Sequence, residues 1–349
     1  MSLQDCIVVN THYTRSINLE RDATSVDVVK SYIPTSRALR TFARVADSMH
    51  ENQAPRAWSW IGPYGSGKSS ASVFLGQLLA NPDGDAAKVA LKVLSKADKG
   101  VSSAFKNASK GTEGCLKVLL TGSPEPMGVR IVQGLTDAAE EYWAGKKGKK
   151  PALIKELRAL SQQDKIKTSE IVGAVESLQN ALEKTGSAGL VLVIDELGKF
   201  LEFEARHYGA NDIYLLQSLA EHACKGHKVN LMLFVLLHQS FEQYAKGLGE
   251  SLKNEWSKVQ GRFEEVPFLE SAEQVLRVVA AAFEHKFKSA EQVAISSTVE
   301  KIVDLLEEQI ALPGAMSHVE ATALFSSCYP LHPVSALLLP TLCQKIAQN

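Results

Sequence analysis

Three stretches of the chain are apolar at nearly consecutive positions: "CLKVLLTG" from Cys115 to Gly122, "LVLVIDE" from Leu190 to Glu196, and "LMLFVLLHQS" from Leu231 to Ser240. A strand wetted on one face alternates polar and apolar residues. Near-continuous runs therefore predict strands covered on both faces, as in a parallel sheet. The segments around them, "MGVRIVQGLTDAAEEYW", "ALIKELRALSQQ", "SEIVGAVESLQNALEKTG" and "NDIYLLQSLAEHACKG", carry apolar residues at helical spacing. Strands separated by helices predict crossover connections, and so an α/β fold with a mostly parallel sheet. Upstream, "AWSWI" reads as a strand and "SSASVFLGQLL" as a helix. Ser25 is placed to cap a short helix that Pro34 ends, and Leu39, Phe42, Ala43 and Val45 give the next helix an apolar face. Between Gln77 and about Lys110, "NPDGD" reads as a turn and "KVALKVL" as an amphipathic piece.

The ends of the chain differ from its middle. Residues 1–24 contain "CIVVNTHYTRSINLE", which reads as a short strand or hairpin. From Glu273 onward the pattern turns helical, and the last stretch, "CYPLHPVSALLLPTLCQKIAQN", ends without a stop signal, predicting a longer parent chain. The expected organisation is an N-terminal segment at 1–24, a core at 25–270 with a helical insertion at about 123–186, and a helical region at 271–349.

Composition narrows the picture. With 349 residues, 45% hydrophobic and 22% charged, the chain has ample material for one large domain and a smaller companion. Thirty-eight basic residues against 39 acidic ones argue against a nucleic-acid coat or a membrane-surface binder, though a local basic groove stays open. The run "AGKKGKKP" reads as a solvated loop tip. Cys6, Cys115, Cys224, Cys328 and Cys343 are scattered, without a CxxC pair, which argues against a disulfide framework or a zinc cluster and favours a reducing, cytoplasmic setting. No signal peptide and no apolar run long enough to span a membrane is apparent.

Gly62-Pro63-Tyr64-Gly65-Ser66-Gly67-Lys68-Ser69 matches GxxxxGK[ST] at every fixed position, between the predicted strand and helix. Glycines let the backbone turn its N–H groups around phosphate oxygens, and the new helix, with Ser70 in its first turn, points its positive end at the same anion. Lys68 is expected to neutralise β and γ phosphates, and Ser69 to complete a Mg²⁺ shell. Asp195, at the end of an apolar strand, is the second metal residue. Glu196 beside it is placed to polarise an attacking water, which favours hydrolysis over transfer to a small substrate. Glu202 and Glu204 read as helix-surface charges. No NKxD tetrapeptide for guanine occurs, which disfavours GTP.

"GPYGSGKS", "LVLVIDE" and "LMLFVLLHQS" together resemble the Walker A, Walker B and sensor-1 segments of AAA+ ATPases, in that order. The resemblance implies a three-layer α/β/α P-loop NTPase core followed by a smaller helical lid. It implies a polar γ-phosphate sensor among His238, Gln239 and Ser240, with Gln239 ranked first. The "GRF" of "SKVQGRFEEVPF" implies that Arg262 is an arginine finger supplied in trans within a homo-oligomer. Tyr32 and Ile33 are implied to line the base. A sensor-2 arginine has no clear counterpart. "YIPTSRAL", "IDELGKFLEFEA", "VQGRF" and "YPLHPVSALLLP" are similar to large bacterial P-loop ATPases, some tied to genome defence or DNA processing. The expectation is an ATP·Mg²⁺-dependent motor acting on nucleic acid or a protein partner, with a slowly hydrolysing signalling switch as the alternative.

Overall fold

The computed structural model describes residues 3–10, 16–49, 54–146, 150–207, 212–241, 258–309, 312 and 316–347. The chain forms two compact units. One comprises Ile17–Gly62 and Gly67–Phe268, the other Met1–Ser16, Pro63–Ser66 and Leu269–Asn349.

The chain opens with α1 (Leu3–Cys6) and β1 (Ile7–Val9), and continues with α2 (Val26–Ser31), α3 (Ser36–Ser48), β2 (Ala57–Ile61), α4 (Lys68–Leu78), α5 (Asp85–Ala97), α6 (Lys99–Ala108) and β3 (Cys115–Thr121). There follow α7 (Met127–Ala144), α8 (Leu153–Ser161), α9 (Thr168–Glu183), β4 (Gly189–Asp195), α10 (Gly198–Arg206), α11 (Asp212–Cys224), β5 (Leu231–Leu237), β6 (Glu264–Pro267) and β7 (Phe283–His285). Caps set helix starts: the Ser25 hydroxyl accepts from Val28 N–H ahead of α2, as the sequence predicts, and Thr35, which the sequence reading did not single out, accepts from Ala38 N–H ahead of α3.

The larger unit is built on a five-stranded sheet in the order β3-β4-β5-β2-β6, parallel at every pairing. All seven residues of β4 and of β5 are buried. Their side chains alternate between two cores: Leu190, Leu192 and Ile194 face one, Val191 and Val193 the other. Only an unbroken apolar run can satisfy both faces at once. Helices α7, α9 and α11 supply the first core, through residues such as Ile131, Leu178 and Leu216. Helices α3, α4 and α5 supply the second, through Phe42, Phe74 and Leu94. The result is a three-layer α/β/α arrangement. The stretch expected as an insertion at about 123–186 thus supplies α7 and α9 to the first layer, beside α11, because its apolar face covers β3 and β4.

The smaller unit has its own core of Leu276, Val299, Val303, Leu306, Ala321, Phe325, Cys328 and Ala336, drawn from helices Ala272–Ala281, Ser289–Gln309, His318–Ser327 and Pro333–Ala347. Strand β1 pairs antiparallel with β7, Ile7 opposite His285, and not within a local hairpin. Most of an N-terminal hairpin return would fall on residues 11–15, outside the described residues. The three-residue β7 lies within a stretch whose helical spacing hid it. Among the described residues, no helix is long and apolar enough to cross a membrane.

Candidate functional site

In a parallel sheet all carboxyl ends lie on one edge, and there β2, β4 and β5 deliver the three motifs side by side. Backbone hydrogen bonds tie the ends together. Gly62 N–H donates to the Leu237 carbonyl at 3.1 Å, Leu197 N–H to the Leu236 carbonyl at 3.2 Å, and Gly122 N–H to the Asp195 carbonyl at 2.8 Å.

The loop after β2 turns through left-handed glycines, Gly65 at φ 77° and Gly67 at φ 86°, and Ser66 N–H donates to the Pro63 carbonyl at 3.2 Å. Those φ values disfavour ordinary side chains, which is why the pattern fixes glycine at Gly67 and why Gly65, at a variable position of the pattern, suits the same turn. Gly67 then occupies the N-cap of α4. Tyr64 is about half exposed.

Lys68 is buried, and its ammonium donates to the Gly62 carbonyl at 2.5 Å. Burial pulls its pKa down to about 8, against the opposing pull of Asp195 and Glu196. Ser69 Oγ donates to Asp195 Oδ2 at 2.5 Å, across 126 residues of sequence. Asp195 is buried too, and the Glu196 N–H donates to its Oδ1 at 2.8 Å. Burial raises the Asp195 carboxyl above its usual range, and the Ser69 and Glu196 donors pull it back.

Glu196 is the one non-glycine residue with positive φ, 50°, among the described residues. Its carboxylate is ion-paired with Lys199, three residues on. The Glu196 carbonyl carbon and oxygen crowd the place a Cβ on Gly122 would take, so the end of β3 approaches this turn as closely as a glycine allows. Lys199 lies within the quoted segment "IDELGKFLEFEA" without having been assigned a role there, and Gly122 closes "CLKVLLTG". Lys199 was readable from its spacing on α10; the Gly122 contact depends on the strand order and was not.

Of the three sensor candidates, His238 is half-buried and lies within electrostatic reach of Lys68, Glu196 and Asp195, whereas Gln239 is exposed. Burial lowers the His238 pKa, with Lys68 adding to the shift. Ser240 is partly buried at the end of the same turn. Arg262 pairs with Glu221 at 2.5 Å and donates to the Lys258 carbonyl at 2.7 Å, both within its own chain. The Tyr32 ring packs tilted against Phe74 of α4, centroids 4.5 Å apart, and partly buried Ile33 follows it. Ser70 is partly buried in the first turn of α4. Glu202 is exposed as expected, but Glu204 is not a surface charge: its carboxylate accepts from Asp212 N–H at 3.0 Å and caps α11. Asp212 in turn accepts from Met127 N–H at 3.2 Å, at the start of α7. Neither protein-family models nor curated proteins match the chain.

Proposed function

We propose that the protein binds ATP with Mg²⁺ at this strand-end site and hydrolyses it, coupling turnover to the movement or remodelling of a nucleic acid or protein partner in the manner of AAA+ ATPases. The observation that carries the reading is the Ser69–Asp195 hydrogen bond, which joins the loop motif to the acidic strand end. The donor set fits the ligand. Among the described residues no group of three or more His, Cys, Asp or Glu side chains could cage a metal. One hydroxyl and one carboxylate suit Mg²⁺, which takes few protein ligands and fills its shell with phosphate oxygens and water. The bound metal would supply positive charge to the β and γ phosphates. Lys68 adds an ammonium with little water around it, so its charge is screened less than at the surface. Glu196 accepts the proton of the attacking water, and His238 holds the polar position at the end of β5.

Arg262 acting in trans within a homo-oligomer would first leave Glu221. Both partners of that pair are about a third or more exposed, so the cost is under about 1 kcal/mol.

The test is direct. Lys68→Ala should weaken binding of a fluorescent ATP analogue roughly 10- to 100-fold, the value of a charged hydrogen bond. Glu196→Gln should keep binding while turnover falls at least about 100-fold. Unchanged hydrolysis in Lys68→Ala ends the reading. One observation favours a nucleotide-dependent switch with slow hydrolysis: the Lys199 ammonium already sits on Glu196. Nucleotide that stays bound through purification and turns over slowly whatever partner is added selects the switch.

A further inference from the structure

The overall charge is −1, yet positive charge is concentrated on one helical pair. Between Asp85 and Lys110, six lysines against two aspartates leave a formal +4. Five of them, Lys88, Lys92, Lys96, Lys99 and Lys106, line a cleft of about 580 Å³ between α5 and α6, and all five are exposed. Asp98 is committed elsewhere, its carboxylate accepting from Val101 N–H at 2.9 Å as the cap of α6. Among the described residues, none of the five lysines has a carboxylate within ion-pair distance.

We infer that this cleft binds the phosphate backbone of double-stranded nucleic acid, without reading its sequence. The inference gives the proposed motor its partner and rests on that reading only for the link to turnover. Three features choose the occupant. Lys88, Lys92 and Lys96 recur every four residues on α5, about 6 Å apart along the helix, a ladder of point charges matched to a repeating polyanion. The lining has no arginine fork and no aromatic ring, only Leu91 and Ser95 besides the lysines. Bidentate base reading and base stacking on single strands both lack their usual groups here. No large apolar side chain between Asp85 and Lys110 is exposed, so an amphipathic membrane anchor has nothing to insert. The cleft is also joined to the nucleotide site, since α5 follows α4 after one turn and packs against it.

The experiment uses the whole chain and a fluorescent 30-base-pair DNA duplex, titrated by anisotropy from about 50 to 200 mM salt. The variant carries Lys88→Gln, Lys92→Gln and Lys96→Gln, and the control carries Lys155→Gln, Lys165→Gln and Lys184→Gln on other exposed sites. The cleft variant should bind roughly tenfold more weakly, and its slope of log affinity against log salt should be shallower by about 2 to 3. The control should match wild type. All three should melt at the same temperature, which separates lost contacts from lost fold. Equal losses in variant and control overturn the inference. So does tighter binding to single-stranded DNA, phosphatidylserine vesicles or polyglutamate than to the duplex. Basal turnover of ATP, read in parallel, keeps the two proposals apart: duplex binding that depends on these lysines in a protein without ATPase activity removes the motor and leaves the cleft. Normal turnover with unaltered duplex binding in the variant does the reverse.

Discussion

Glu196 shows how much the site depends on single side chains. A glutamate at φ 50° sits in a region that costs a non-glycine residue about 1 kcal/mol or more, so the surrounding bonds must hold it there. Its ion pair with Lys199 is the weaker restraint, because Lys199 is about half exposed and such pairs are worth under about 1 kcal/mol. Lys199→Ala should therefore change ATP turnover by less than about fivefold in steady-state assays, against the far larger loss expected of Glu196→Gln. Asp212 makes a second prediction. Burial lifts its pKa to about 7 from an ordinary 3.8, and Glu204 shifts the same way for the same reason. Between those values the unfolded chain has released the proton that the folded chain still holds. Stability should thus be highest below about pH 4 for this group and fall as pH rises toward 7. Asp212→Asn should flatten that slope, with a gain of up to about 4 kcal/mol at pH 8 relative to pH 4 in urea titrations. Lys68, Ser69, Asp195 and Glu196 were legible because spacing and strand ends mark them. The Glu204–Asp212 pair was not, since only the packing of α7, α10 and α11 removes those carboxylates from water.

At the scale of elements, legibility followed burial. Strands β4 and β5 announce themselves because both faces are covered. Strand β6, four residues with one buried, leaves only the trace "EEVP". The α7–α9 stretch was readable as helices but not as a layer, because periodicity gives a helix its apolar face without naming what covers it. The close approach of β3 to the turn after β4 carries its own prediction. In Gly122→Ala the new methyl would meet the backbone of Glu196 and Asp195, which cannot swing aside as a side chain would. Overpacking of this kind costs about 1–3 kcal/mol, and here the displaced groups are the two acidic residues of the site. Chemical denaturation should show that loss, and ATP turnover should fall at least about tenfold.

Across the whole molecule, the two units keep separate hydrophobic cores, two clusters on the faces of the sheet in the larger unit and one cluster in the smaller. Calorimetric unfolding should depart from a single two-state transition, with a calorimetric enthalpy larger than the van't Hoff value. The order of strands, which neither propensity nor motif reveals, is what brings residues 126 apart into one hydrogen bond. That order also leaves β2, the strand leading into the glycine-rich loop, next to an edge. Among the described residues only β6 lies outside it, with Glu264 and Glu265 along its length, Pro267 at its end, and Arg44 bridging Glu264 at 2.7 Å. A proline with no N–H to give and two like charges make a poor docking rail for a second copy. Four residues therefore act as a selvedge on the β2 side of the sheet: an edge of this composition resists knitting itself onto a strand of a neighbouring molecule.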